Sequence, residues 1–297
     1  MKGSDSIPRF SLIVPAYNEE AYLPALLKSV HKARTSYVGG ADAIEVLVVD
    51  NASTDATADL ARRQGCRVVR EEKRVIAAVR NAGAREAWGQ IFVFVDADSV
   101  IHPDTFNAID KSLSTGKVIA GTSGVKMQRM SLGIAVTYLL MVPLVWLTGM
   151  DTGVVFCRRE DFRIIGGYNE GRLYAEDVQL LWDLMLLGRK RQQKLARTTS
   201  VKAIFSTRKF DDHGDWHYWW LMARFLWGLV FSPRSMGDFA LTYWYSDERT
   251  KPKEENKTRA LYTPDTEDWQ GRRQNAGSIP SERNGRRSPF KDKCFWQ

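Results

Sequence analysis

The chain has 297 residues, 44% of them hydrophobic and 26% charged, a profile that excludes a disordered chain and fits one large α/β domain or two small ones. Lys and Arg number 43 against 35 Asp and Glu, and the resulting +8 suits an anionic partner such as a nucleotide, a phospholipid surface or a nucleic acid. The three cysteines, Cys66, Cys157 and Cys294, include no CxxC pair, so neither a zinc site nor a disulfide framework is expected, and a reducing cytoplasm is the easier home.

The apolar run before Pro15 spans only 10–14, too short for a signal peptide, and none is expected. From Phe10 to about Leu113, short β-rich runs alternate with helical patterns. Strands are predicted at 10–14, 44–49, 66–69 and 91–95. Between them, 19–33, 53–65 and 75–89 carry apolar residues at three- and four-residue spacing, and Ser53 or Thr54 can cap the second helix. Continuous apolar strands separated by helices read as a parallel sheet covered on both faces. Ligands bind such sheets beyond the carboxyl ends of the strands. Polar clusters stand at those ends: "PAYNEE" after the first strand, "DNASTD" after the second and "DADS" after the fourth.

Met130 to Met150 holds no charged residue and is long enough to cross a bilayer. Gly133, Pro143 and Gly149 interrupt it, and a span would split the sheet from residues that must rejoin it. A helix buried in the protein or lying along a membrane surface is therefore expected. "DTGVVFCRREDF" predicts a strand leading into a helix, "IGGYNE" a turn, and "AEDVQLLWDLMLLG" an amphipathic helix with its acidic residues first, where the helix dipole favours them. The strand "VKAIF" precedes a charged turn, 206–216, and then a Trp-rich run, 215–231, suited to an aromatic core or a membrane interface. From Asp247 onward the chain turns polar, with twelve Lys/Arg against nine Asp/Glu, and is expected to be largely disordered.

No GxGxxG and no GxxxxGKS follows the first strand, which counts against dehydrogenase and P-loop readings. "PAYNEE" instead offers a ring, an amide and two carboxylates on a turn fixed by Pro15, groups suited to a base and its ribose. Asp50 can accept hydrogen bonds from a base or a ribose, or simply cap the next helix. Asp96 and Asp98, two apart on an extended segment, would face the same way. Mg2+ typically takes one or two carboxylates plus substrate phosphates, so the pair reads as a bridge between protein and diphosphate. The plain alternative is a solvated turn.

Taken together, "SLIVPAYNEE", "VLVVDNASTDAT", "RNAGAREAWGQIFVFVDADS" and "IGGYNE…YAEDVQLLWDL" resemble the successive motifs of family 2 glycosyltransferases, over roughly Phe10 to Gly188. The resemblance implies the GT-A fold, a mostly parallel Rossmann-like α/β sheet flanked by helices, and inverting transfer of a sugar from a UDP-, GDP- or dTDP-linked donor. It places Pro15, Ala16, Tyr17 and Glu19 in the nucleoside pocket, with Asp50 at the base and Arg80 near the nucleotide. It gives Asp96 to ribose or metal, Asp98 to Mg2+ or Mn2+, and Asp177 the role of catalytic base. Glu176 beside it would orient the acceptor or simply begin its helix. Beyond Gly188, Arg208 and Lys209 can neutralise the leaving diphosphate, and His213 can add a metal ligand; a plain basic turn is the alternative. The QxxRW signature of processive members is absent, which points to single-sugar transfer.

The expected layout is a glycosyltransferase domain over 1–246, with nucleotide-binding and acceptor parts about 8–121 and 122–246, and a polar tail over 247–297. The acceptor is expected to be lipid-linked, and the protein peripheral at the inner face of the cell membrane. Two rivals from other classes stand beside this reading. A non-catalytic nucleotide-sugar or glycan-binding relative is opposed by the intact set Asp50, Asp96, Asp98 and Asp177. A nucleic-acid binder is suggested by charge alone and opposed by the acidic strand ends.

Overall fold

Phe10, Leu12 and Val14 pack into one apolar cluster and Ile13 into another, and all four are fully buried. A strand whose alternate residues meet two separate cores must be covered on both faces, and this one is β1 (Phe10–Ala16). The computed structural model describes residues 7–133, 135–136, 139, 153–172, 175–208 and 216. Within them β1 lies beside β2 (Ile44–Asp50) and β4 (Ile91–Phe94), with β3 (Arg67–Arg70), β5 (Val118–Met127), β6 (Val155–Arg158) and β7 (Lys194–Phe205) completing a sheet of order β3-β2-β1-β4-β6-β5-β7. Every pairing is parallel except those of β6, which runs antiparallel to β4 and β5.

Helices α1 (Leu23–Ser36), α2 (Thr57–Arg63) and α4 (Thr105–Ser114) supply Leu26, Val30, Ala61, Phe106 and Ile109 to the first core. Between α2 and α4 in sequence, α3 (Ile76–Glu86) covers the other face with α5 (Arg159–Ile164) and α6 (Glu176–Lys190). There Phe92, Phe94, Phe162 and Tyr168 stack edge-on or tilted at 5.1–6.3 Å between ring centroids. Burying one such ring is worth about 1.5–3 kcal/mol. Gly83 gives up helix propensity so that α3 can lie on the sheet: a Cβ there would stand 2.5 Å from Ile13 Cγ2 and 2.7 Å from Val49 Cγ2.

Several boundaries differ from the sequence reading, each for a physical reason. Pro15 belongs to β1 and not to a turn. Ile13 O accepts from Val95 N and Ala16 O from Asn51 N, so the missing N–H of Pro15 faces β4 beyond its last pair, Ile13 with Phe94. The helix expected over 53–65 begins only at Thr57, because Ser53 and Thr54 are used elsewhere: Asn18 N donates to Ser53 Oγ (3.1 Å) and Thr54 N to Asn18 Oδ1 (2.8 Å). Asp55 takes over at that helix start, accepting from Thr57 N at 2.9 Å. β5 was not anticipated at all.

The apolar stretch 130–150 lies mostly outside the described residues. At its described start, Leu132 and Gly133 are helical, and Met130, Leu132 and Leu139 are exposed. Among the described residues no helix is long and apolar enough to cross a membrane. Lys209, His213, the Trp-rich run apart from an exposed Trp216, and the tail from Asp247 lie outside the described residues.

Candidate active site

Because β1, β2, β4 and β7 run the same way, their carboxyl ends share one edge of the sheet. The polar clusters at the ends of β1 and β2 are stitched to each other. Glu19 N donates to Thr57 Oγ1 (2.8 Å), Glu20 N to Asp55 Oδ2 (3.1 Å) and Ala56 N to Glu20 Oε2 (3.1 Å). Asp50, almost fully buried, accepts from Ser53 N at 3.2 Å, a local side-chain-to-backbone bond in place of the helix cap considered above. Beside it Arg74, on the β3–α3 loop, lies 3.6 Å over the Tyr17 ring and donates to its hydroxyl at 2.7 Å.

The Asp96–Asp98 segment is a tight turn and not extended chain, with Ser99 N donating to Asp96 O at 3.1 Å. The turn corrects the expectation of an extended segment, and the two carboxylates pair with different arginines. Asp96 pairs with Arg80 (2.9 Å) and Asp98 with Arg208 (3.6 Å). Val100 and Ile204 exchange two backbone hydrogen bonds, at 2.9 and 2.8 Å, which tie this turn to the end of β7 and bring Arg208 alongside. Arg208 also forks onto both oxygens of Glu19 at 3.0 and 3.1 Å and lies 4.7 Å from the Tyr22 ring centroid. Burial, with Asp98 and Asp96 nearby, outweighs Arg208 and pushes the Glu19 carboxyl up to about 7.

Arg80 is the centre of the other cluster. Alanines 77, 78, 82 and 84 let α3 settle against the sheet, and the Arg80 side chain is left 4% exposed. Its Nη1 meets Glu176 Oε1 (2.9 Å) and Asp177 Oδ1 (2.8 Å), and Tyr168 O–H donates to the same Asp177 oxygen at 2.8 Å. Burial works against the guanidinium, but Asp177, Tyr168, Asp96 and Glu176 more than offset it and raise its pKa well above the usual value. Burial also raises the Asp177 carboxyl, to about 6; Glu176 and Asp96 push the same way, while Arg80 and the Tyr168 hydrogen bond oppose them. The helix dipole at the start of α6 thus does not hold Asp177 in the ordinary carboxylate range, as its position alone suggested. Ala175, just before α6, adopts a left-handed backbone (φ 53°), a strained choice for a residue with a Cβ.

The structure brings Asp50, Tyr17 and Glu19 to the same edge as Asp96, Asp98, Glu176, Asp177 and Arg208. Pro15 and Ala16 end the strand that leads to it. Arg80 pairs with Asp96, Glu176 and Asp177. Tyr22, Arg74 and Tyr168 had no role assigned from sequence; only their nearness to "PAYNEE", "RNAG" and "GGYNE" pointed to them. Among the described residues no three or more of His, Cys, Asp and Glu cluster as a ready-made metal site. Asp96 and Asp98 nevertheless offer hard oxygen donors that already hold cations, which fits an ion needing one or two carboxylates plus phosphate oxygens.

A mostly parallel sheet with acidic loops gathered at its carboxyl edge places the chain among α/β proteins that bind ligands at that edge. Residues 11–137, a little under half of the chain, match the family described as Glycosyl transferase family 2. Similar proteins include glycosyltransferase AglE of Haloferax volcanii, 31% identical over 40% of this chain and 38% of its own length. Another is the undecaprenyl-phosphate 4-deoxy-4-formamido-L-arabinose transferase of Pseudomonas paraeruginosa, 31% identical over 38% of this chain and 34% of its own. The chain thus matches well under two thirds of the length of these curated relatives. Among solved structures, a mannosyltransferase from Pyrobaculum calidifontis with GDP-Man and Mn2+ superposes at TM-score 0.55 and 24% identity, covering 67% of this chain and 57% of that one. The glucosyl-3-phosphoglycerate synthase of Mycobacterium tuberculosis with Mn2+ and UDP-glucose does so at 0.50 and 22%, covering 67% and 70%. These two likenesses speak for the fold.

Proposed function

We propose that the protein transfers a single sugar from a nucleotide-diphosphate donor to an acceptor hydroxyl or phosphate, with inversion and with Asp177 as general base. The observation that carries this reading is the Asp177 environment: a buried carboxylate at a helix start, raised to about 6 and oriented by Tyr168 and Arg80. A base with a pKa near the working pH is the efficient one. Both orienting groups bind Oδ1, so Oδ2 is the oxygen suited to take the acceptor proton as the new C–O bond forms. The bond from the anomeric carbon to the diphosphate oxygen breaks in the same displacement, and the electron pair leaves with the diphosphate. Tyr17, Glu19 and Asp50 line the nucleoside side, within a nucleotide-binding part over about 8–121 and an acceptor part over 122–246. A divalent cation held by Asp98 and Asp96 would neutralise charge on the diphosphate; the neighbours solved with Mn2+ support this.

A lipid-linked acceptor in cell-envelope glycan or glycolipid synthesis, reached at the inner membrane face, is supported by two observations. One relative's name includes undecaprenyl-phosphate, and Met130, Leu132, Leu139 and Trp216 are exposed here. Flotation with anionic liposomes tests the membrane contact: protein that stays at the bottom at low salt excludes it. For the chemistry, Asp177→Asn should keep donor binding and slow transfer by about 10²–10⁴-fold. Wild-type turnover in that variant would overturn the assignment and move attention to Glu176. Failure of the wild type to hydrolyse or transfer from any UDP-, GDP- or dTDP-sugar it binds would favour the non-catalytic reading.

A further inference from the structure

We propose that Arg208 is an exchangeable counter-cation of the donor site: it neutralises Glu19 and Asp98 in this conformation, and a divalent cation must displace it to reach Asp98. The inference rests on the reading of Asp98 as a metal ligand and adds a competitor built into the chain.

The geometry separates a fixed anionic side from a removable cationic one. Asp98 sits in a turn held by the Ser99 N to Asp96 O bond and by the two-bond bridge between Val100 and Ile204. Glu19 is held by its own backbone bond to Thr57 Oγ1. Arg208 stands three residues past the end of β7, and its backbone N–H donates to nearby Ser206 Oγ at 3.1 Å. Its side chain is 27% exposed, against 12% for Glu19 and 19% for Asp98, so the guanidinium closes the site from the solvent side. Two cations at one carboxylate repel each other, and in a half-buried site water screens that repulsion poorly. Metal entry and Arg208 departure are then a single exchange. The freed guanidinium fork matches phosphate oxygens, so the donor diphosphate is its natural next partner. Nucleotide and metal would thereby assist each other, the metal releasing the arginine that the phosphates then bind.

Calorimetric titration of the full chain with MnCl2 alone tests the exchange. Arg208→Met should bind Mn2+ at least about tenfold more tightly than wild type, because the guanidinium that stands 3.6 Å from Asp98 no longer repels the incoming cation. Arg208→Lys, a cation without the fork, should fall between. Equal or weaker Mn2+ binding by Arg208→Met overturns the proposal. A second measurement needs no variant: phenylglyoxal labelling of Arg208 in wild-type protein, read by peptide mass spectrometry, should rise when Mn2+ is added. Unchanged or reduced labelling also overturns it. UDP and GDP are titrated separately in the presence of Mn2+. If neither binds while the exchange is seen, the donor-site reading fails and the exchange stands.

Discussion

Replacing Arg80 with Met removes one charge and leaves three carboxylates facing each other. The side chain is 4% exposed, and its partners Glu176 and Asp177 are 14% and 12% exposed, so those two pairs are poorly screened. Asp96 is 36% exposed, and its pair counts for less. Deleting one partner of a buried ion pair costs about 3–5 kcal/mol, because the charge left behind has no compensation. The carboxylates can escape that cost by binding protons, which gives the prediction its signature. Arg80 lowers the Asp177 pKa, which stands at about 6 with the arginine present, so its removal pushes that value further up. A carboxyl whose folded pKa is raised carries no penalty below its unfolded pKa, near 4, and the full penalty above the folded one. Each further unit of rise adds about 1.4 kcal/mol of destabilisation at high pH. Urea unfolding followed by tryptophan fluorescence should therefore show a larger loss for Arg80→Met at pH 8 than at pH 5. Arg80→Lys, with its charge but without its fork, should recover part of it. A loss that is equal at both pH values, or below about 1 kcal/mol at pH 8, would refute the cluster as described.

Three further outcomes are expected. With Asp177 as the base, kcat/KM should rise between pH 5 and 7 with an apparent pKa near 6, since the ionised form accepts the proton; a profile flat down to pH 5 would exclude Asp177 from that role. Gly83→Ala should gain about 1 kcal/mol of helix propensity and lose about 1–3 to overpacking against Ile13 and Val49. A net rise in Tm would mean that α3 has room to spare. Glu45→Ala should cost about 1–3 kcal/mol for each donor left unpaired, since this carboxylate accepts from Ser11 Oγ and from the backbone N–H groups of Trp88 and Gly89. Urea unfolding with a loss under about 0.5 kcal/mol would show that water replaces it freely.

The strands that could be read from sequence are those buried on both faces, because burial forces continuous apolar runs such as "FSLIV" and "IFVFV". β5 escaped notice because Gly121, Thr122, Ser123 and Gly124 break its apolar pattern. Its strand character comes from its partners: a Cβ on Gly121 would press on the Ala196 carbonyl and stand 2.6 Å from the Phe156 ring. The site shows the same division. Carboxylates at strand ends follow from local pattern, and Asp50, Asp96 and Asp98 do sit where β2 and β4 end, while Asp177 begins α6. Their counter-ions do not follow from it. Arg80 is 96 residues from Glu176, and Arg208 is 189 residues from Glu19. No periodicity connects residues so far apart, and only the packing of α3 and the course of β7 bring them together.

On the proposed function, the two arginines also explain how a chain with a net charge of +8 would keep an acidic site ready for an anionic donor. Carboxylates alone would repel a diphosphate, and buried carboxylates without cations would take up protons and cease to be useful. The site therefore holds cations of its own, in two different ways. Arg80 is enclosed by Asp96, Glu176, Asp177 and Tyr168, and cannot leave without exposing buried charge. Arg208 is more exposed and lies beyond the last strand, where departure costs one fork of hydrogen bonds to Glu19 and a longer contact to Asp98. On the proposed mechanism, a fixed cation would suit the acceptor side, where a carboxylate must stay in one place through the displacement. A removable one would suit the donor side, where the charge to be neutralised would change as metal and diphosphate arrive and leave.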